Sequence, residues 1–140
     1  MAEICPEAEI LSIEKNKLNF EDAKKNLKGC LNVKVENCDA LEFLQNNTSL
    51  KFDFIFLDGP KGQYFKYLPY LKDMLNKNGV LFADDVLFYG LVNSEEKIDH
   101  KHRALVNNLR KFLKQIQEDS DFDTEVYDFD DGVSISKKKR

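Results

Sequence analysis

Two short apolar runs, each closed by aspartate, most constrain the fold of this chain. Phe52-Asp53-Phe54-Ile55-Phe56-Leu57 leads into Asp58-Gly59-Pro60-Lys61, and Gly79-Val80-Leu81-Phe82-Ala83 leads into Asp84-Asp85. A brief β-prone run bounded by turn residues reads as a strand buried on both faces. In an open α/β sheet, ligands bind just outside the carboxyl ends of such strands. The two runs would therefore bring three carboxylates and the Lys61 ammonium to one crevice. Clustered carboxylates repel one another unless a cation lies between them. Hard oxygen ligands of this kind suit Mg²⁺, Ca²⁺ or Mn²⁺.

The rest of the chain alternates strand and helix. Residues 9–13 and 33–37 read as strands. Residues 19–28 read as a helix, with Asn19 as its N-cap, Glu21 and Asp22 in its first turn and Gly29 as its stop. Residues 40–46 form a short helix capped by Asp39. Residues 64–76 are helical, bent or restarted at Pro69. Leu105, Leu109, Phe112, Leu113 and Ile116 fall on one face of a helix over 102–118. Residues 124–129 and 133–136 flank Asp130-Asp131-Gly132, a hairpin signal. This order implies one α/β domain over residues 1–140, with a mostly parallel sheet and an antiparallel C-terminal hairpin.

Composition excludes several classes. Of 140 residues, 42% are hydrophobic and 33% charged, enough for a packed core and unlike a disordered chain. The net charge of −4 gives no global footprint for nucleic acid. Cys5, Cys30 and Cys38 have no metal-ligand spacing and cannot all pair, which fits reduced thiols and a cytoplasmic location. No apolar run reaches membrane-spanning length, and the first residues lack the basic start and apolar stretch of a signal peptide.

The segments FDFIFLDGPKGQY and GVLFADDVLFYGLV together resemble the cation-dependent class I O-methyltransferases that use S-adenosylmethionine, the catechol and caffeoyl-CoA group. LFYGLV most resembles the bacterial branch that includes tRNA 5-hydroxyuridine methyltransferases. The resemblance spans nearly the whole chain. It implies a Rossmann-like fold and a role for each matching position. Asp58, Asp84 and Asp85 correspond to the metal ligands, Asp85 standing where the family usually has Asn. Glu14 corresponds to the acid that accepts from the cofactor ribose hydroxyls, Asp39-Ala40 to the adenine contact and Lys61 to the catalytic lysine. Asp58 borders the cofactor as well. The family's N-terminal helices, first strand and Gly-rich loop have no counterpart here, and the six glycines form no GxGxxG cluster. Met1 would fall within the helix after that loop. The chain thus reads as a truncated methyltransferase with two apolar strand edges unpaired, an aggregation liability. The family often dimerises, so a homodimer is expected of the longer parent.

The implied chemistry is methyl transfer to a metal-bound hydroxyl. The expected acceptor is 5-hydroxyuridine in tRNA, or else a small catechol-like phenol. Lys61, beside the cation, would have a depressed pKa and take the proton. The alternative is a non-catalytic fragment that keeps the metal site without a complete cofactor site. A dehydrogenase is a third reading, but hydride transfer has no use for three aspartates.

Each assignment has a plainer reading: a solvated acid for Glu14, a helix cap for Asp39. Lys97, His100, Lys101, His102, Arg103, Arg110, Lys111 and Lys114 form a basic stretch, either a solvated helix face or a phosphate-binding face for tRNA. Phe88 and Tyr89 suit stacking on an aromatic acceptor or packing. The 137–140 tail reads as frayed.

Overall fold

The computed structural model describes residues 2–95 and 97–140. Met1, read as lying within a helix, is outside the described residues, and residues 2–8 form turns rather than a helix. The chain divides into two compact units, Met1–Asn47 and Thr48–Arg140. The fold is α/β: the first unit holds a parallel strand pair, the second a sheet in which three strands share one direction, and a C-terminal antiparallel hairpin closes the chain.

In the first unit, β1 (Ile10–Ile13) pairs in parallel with β2 (Val33–Glu36), Ile10 opposite Val33 and Ile13 opposite Glu36. Parallel neighbours need a crossover, and α1 (Lys17–Asn26) supplies it. Its N-cap is Asn16 rather than Asn19. The Asn16 side chain accepts from the Leu18 and Asn19 N–H groups, and its backbone is still extended as the chain leaves β1. Asn19 already lies inside the helix. The apolar pattern misled here because Leu18, an apolar residue of the first turn, is exposed. The second helix, α2 (Ala40–Asn46), is capped by Asp39, as its sequence indicates.

In the second unit the strand order is β3-β4-β6-β5, with β3 at Phe52–Leu57, β4 at Leu75–Ala83, β5 at Phe122–Tyr127 and β6 at Val133–Lys138. In this sheet β3, β4 and β5 share one direction and β6 runs opposite to them. The fourth strand starts earlier than its apolar run. Leu75 pairs with Phe52, the register then shifts, and Val80 resumes opposite Phe54. Asn78, at φ +64°, absorbs the irregularity, which is why Asn76 to Gly79 resembles a turn in sequence.

Helix α3 (Tyr64–Met74) runs through Pro69 as one element. Helix α4 (His100–Glu118) begins two residues earlier than its apolar face suggests, because Asp99 caps it by accepting from the Lys101 N–H. The two helices pack on each other, α3 against β4 and α4 against β5. Val106, Leu109, Phe112 and Ile116 are fully buried, with Leu57, Leu81, Ala83, Ser134 and Ser136 buried on the sheet. Each large apolar side chain contributes roughly 1.5–3 kcal/mol by leaving water.

The other face of this sheet departs from expectation. Side chains alternate across a strand, and Phe54 and Phe56 are 42% and 51% exposed. β3 is therefore not buried on both faces. α3 and α4 cover one side, while Phe56 meets Phe82 on the other with ring centroids 5.5 Å apart. The C-terminal tail is not frayed either. Lys137 and Lys138 belong to β6, and the Lys138 ammonium donates to the Lys72 and Leu75 carbonyls at the end of α3.

Candidate functional site

Parallel pairing of β3 and β4 places Leu57 opposite Ala83, so Asp58 and Asp84 leave adjacent strands at the same end. The Asp84 N–H donates to the Leu57 carbonyl at 3.1 Å and holds the two exits together. After β3, Gly59-Pro60 turns the chain into a short 3-10 segment, η1 (Lys61–Gln63). That turn returns the Lys61 side chain towards the strand ends. Its ammonium lies 2.7 Å from Asp58 Oδ1 and 2.8 Å from Asp85 Oδ2.

Two carboxylates from different strands thus converge on one cation. Burial pushes the Lys61 pKa down, but hydrogen bonds to Asp58 and Asp85 outweigh it, and the pKa is raised. The depressed value expected from the sequence presumed a second cation beside the amine, whereas here its neighbours are anions. Asp84 is arranged differently. Its Oδ1 accepts from the Asp85 N–H at 2.9 Å, which fixes the turn in which Asp85 adopts φ +55°. Among the described residues, no three carboxylate, histidine or cysteine side chains form a group able to hold a metal ion.

Sequence reasoning missed Tyr64. Its fully buried hydroxyl donates towards the Leu57 and Asp84 carbonyls, at 3.1 and 3.3 Å, and accepts from the Gly59 N–H at 3.2 Å. One phenol therefore ties together both strand ends and the first turn of the site. Burial pushes its pKa up to about 12. The available signal was a tyrosine on the apolar face of α3, since a buried hydroxyl must find partners. The Asn108 side chain, donating to the Gly62 carbonyl, secures the same turn from α4.

Asp84 opens a loop whose tip is backbone-strained. Phe88, Tyr89 and Gly90 have φ of +44°, +54° and +74°. Non-glycine residues adopt this region at a cost, and such residues cluster at functional sites. Phe88 packs against His102 of α4, ring centroids 5.5 Å apart, while Tyr89 is 74% exposed.

The remaining sequence-predicted residues lie in the first unit. The Glu14 carboxylate accepts from the Asn16 N–H at 2.6 Å. Asp39 caps α2 and pairs with the Lys15 ammonium at 2.9 Å, and that hydrogen bond lowers its pKa. Ala40 is the first residue of α2. The Asn37 side chain donates to the Glu14 and Lys15 carbonyls, joining the ends of β1 and β2.

The O-methyltransferase family model matches residues 1–139. The chain belongs to the O-methyltransferase family. A caffeoyl-CoA O-methyltransferase of Populus kitakamiensis is 27% identical over 99 residues, covering 69% of this chain and 42% of the relative. The SAH-bound Podospora anserina methyltransferase superposes with a TM-score of 0.79 at 26% identity, over 95% of this chain and 62% of that one. A candidate caffeoyl-CoA O-methyltransferase from Staphylococcus aureus reaches a TM-score of 0.87 at 26% identity, over 98% and 68%. The chain spans about half the length, or less, of the curated relatives it matches.

In donor chemistry, though not as a preformed three-residue group among the described residues, the aspartates of this O-methyltransferase-family chain suit a divalent cation. Asp58 and Asp85 already hold one cation, the Lys61 ammonium, between hard oxygen donors. Asp84, whose Oδ1 accepts from the Asp85 N–H, is the adjoining carboxylate.

Proposed function

We propose that this O-methyltransferase moves a methyl group from S-adenosylmethionine to an acceptor hydroxyl at the ends of β3 and β4. The convergence of Asp58 and Asp85 on one cation beside Asp84 carries the reading. Family membership and structural relatives that bind SAH or SAM support it. In this reading Asp58, Asp84 and Asp85 hold a divalent cation, Mg²⁺ first among the candidates. Such a cation supplies Lewis acidity and a template for the acceptor oxygen.

The chain's own residues then have distinct tasks. Glu14 accepts from the cofactor ribose hydroxyls, Asp39 and Ala40 flank the adenine, and Asp58 faces the cation. Lys61 is the general base. Held as an ammonium by two aspartates it cannot accept a proton, so it becomes a base only when those carboxylates turn to another cation. In-line placement of acceptor and methyl donor supplies most of the remaining rate.

A catechol-like phenol is the acceptor this surface favours over 5-hydroxyuridine in tRNA. Within the 97–114 basic stretch, Arg110 is bound to backbone carbonyls, Lys111 lies over the Phe65 ring and Lys114 faces Glu118. Calorimetric titration with S-adenosylmethionine, with and without Mg²⁺, tests the proposal. Micromolar binding, about −8 kcal/mol, is the expected result. Binding of Mg²⁺ alone would instead support a non-catalytic, cation-binding chain.

A further inference from the structure

Arg110 lies on α4, distant in sequence from the catalytic motifs, yet two of its guanidinium nitrogens donate to the loop that follows Asp84-Asp85. Nε donates to the Val92 carbonyl at 2.8 Å, and one terminal nitrogen donates to the Ser94 and Leu91 carbonyls at 2.7 and 3.3 Å. Three carbonyls of one loop, those of Leu91, Val92 and Ser94, are met by one planar fork, which only arginine provides.

The loop is anchored at two places and strained between them. At its start, the Val86 and Leu87 N–H groups donate to the Gly132 and Asp131 carbonyls, and Val86 and Leu87 are buried. At its end stands the Arg110 fork. Between lie Phe88, Tyr89 and Gly90, all at positive φ. Such a tip persists only if its surroundings over-determine it. The Val92 N–H, donating to the Leu87 carbonyl at 3.1 Å, ties the two anchors across the base of the tip.

We infer that Arg110 is a positioning residue for the acceptor side of the site, fixing Asp85, Phe88 and Tyr89 through the carbonyls of residues 91–94. This deepens the methyl-transfer reading and rests on it for the word acceptor. The clamp itself is a statement about the loop and is measurable without turnover. It also gives Arg110 a role different from the phosphate contact its place in a basic stretch suggests, because Nε and one terminal nitrogen are bonded to backbone carbonyls.

The experiment compares Arg110→Gln and Arg110→Lys with the unchanged chain by amide hydrogen exchange. Exchange at residues 85–94 should rise about tenfold or more in both variants, with the β4, β5 and β6 amides retaining their protection. Lysine keeps the charge but not the fork, so it should not rescue. In turnover with a catechol-like acceptor, the acceptor KM should rise about tenfold while the KM for S-adenosylmethionine stays unchanged. Wild-type exchange at 85–94 in Arg110→Lys would overturn the inference, as would uniform loss of protection across residues 48–140. If no variant and no parent chain turns over, the methyl-transfer reading fails, and the clamp is still decided by exchange.

Discussion

Leu87 occupies the space in which a side chain on Gly132 would have to sit. A Cβ at position 132 would lie 2.2 Å from Leu87 Cγ, and Gly132 has φ +82°. The Asp130-Asp131-Gly132 turn of the hairpin thus buttresses the loop after Asp84-Asp85, and its carbonyls accept from Val86 and Leu87. Gly132→Ala combines a steric clash with left-handed strain. It should destabilise the chain by about 2–4 kcal/mol, read as a lowered urea midpoint. A value near zero would mean that the turn and the loop are not in contact in solution.

Tyr64 yields a prediction with a defined sign in pH. Its pKa is raised to about 12 in the folded chain, against about 10 for an ordinary tyrosine. A group whose folded pKa is raised gives stability that is full below the unfolded value and lost as pH rises through the folded one. Stability should therefore fall between about pH 10 and pH 12. Tyr64→Phe should flatten that fall. Near pH 7 the same variant should cost about 1–3 kcal/mol, because the Gly59 N–H and two strand-end carbonyls lose a buried partner. Denaturant titrations of both chains across that range check the two statements together.

The elements with a single local signal were legible in the sequence. Asp39 followed by an apolar face gave α2 to the residue, and the period of Leu109, Phe112, Leu113 and Ile116 gave α4. Less legible was anything that depends on which side of an element is covered. Phe54 and Phe56 look like core residues, but periodicity does not say that helices pack on one face of β3 alone. Nor does it separate Asn16 from Asn19, since both are good caps and only the end of β1 decides. The meeting of Asp58, Lys61 and Asp85 in the candidate site was readable, because two strand ends place them together. Its support was not, because Tyr64 and Arg110 act through hydrogen bonds to backbone carbonyls that leave no spacing pattern.

Lys61 separates structural from chemical importance. Lys61→Arg keeps a cation between Asp58 and Asp85 but cannot give up its proton. Stability should be nearly unchanged, while methyl transfer falls by about 10²–10⁴-fold, the range for loss of a general base. Lys61→Met removes the cation and leaves two aspartates facing each other, so it should lower stability as well as rate. Equal turnover in wild type and Lys61→Arg, assayed with the same acceptor and Mg²⁺, would falsify the base assignment.

At the opposite end of α3, Lys72 joins the two helices of the second unit by lying 2.6 Å from Asp119 and 3.0 Å from Asp121. Partial burial pushes the Asp119 carboxyl up, but the Lys72 hydrogen bond and the Asp121 N–H outweigh it, and the pKa is lowered. A lowered carboxylate contributes stability that is present above its ordinary value, about 4, and is lost as pH falls through the folded value. Asp119→Asn should therefore cost about 1 kcal/mol near pH 7, since the pair is partly solvated, and lose less stability than wild type below about pH 4. Thermal melts at pH 7 and pH 3 give both differences. A wild-type chain whose melting temperature drops no further than that of Asp119→Asn on acidification would show that the Lys72 bridge does not hold α3 to α4.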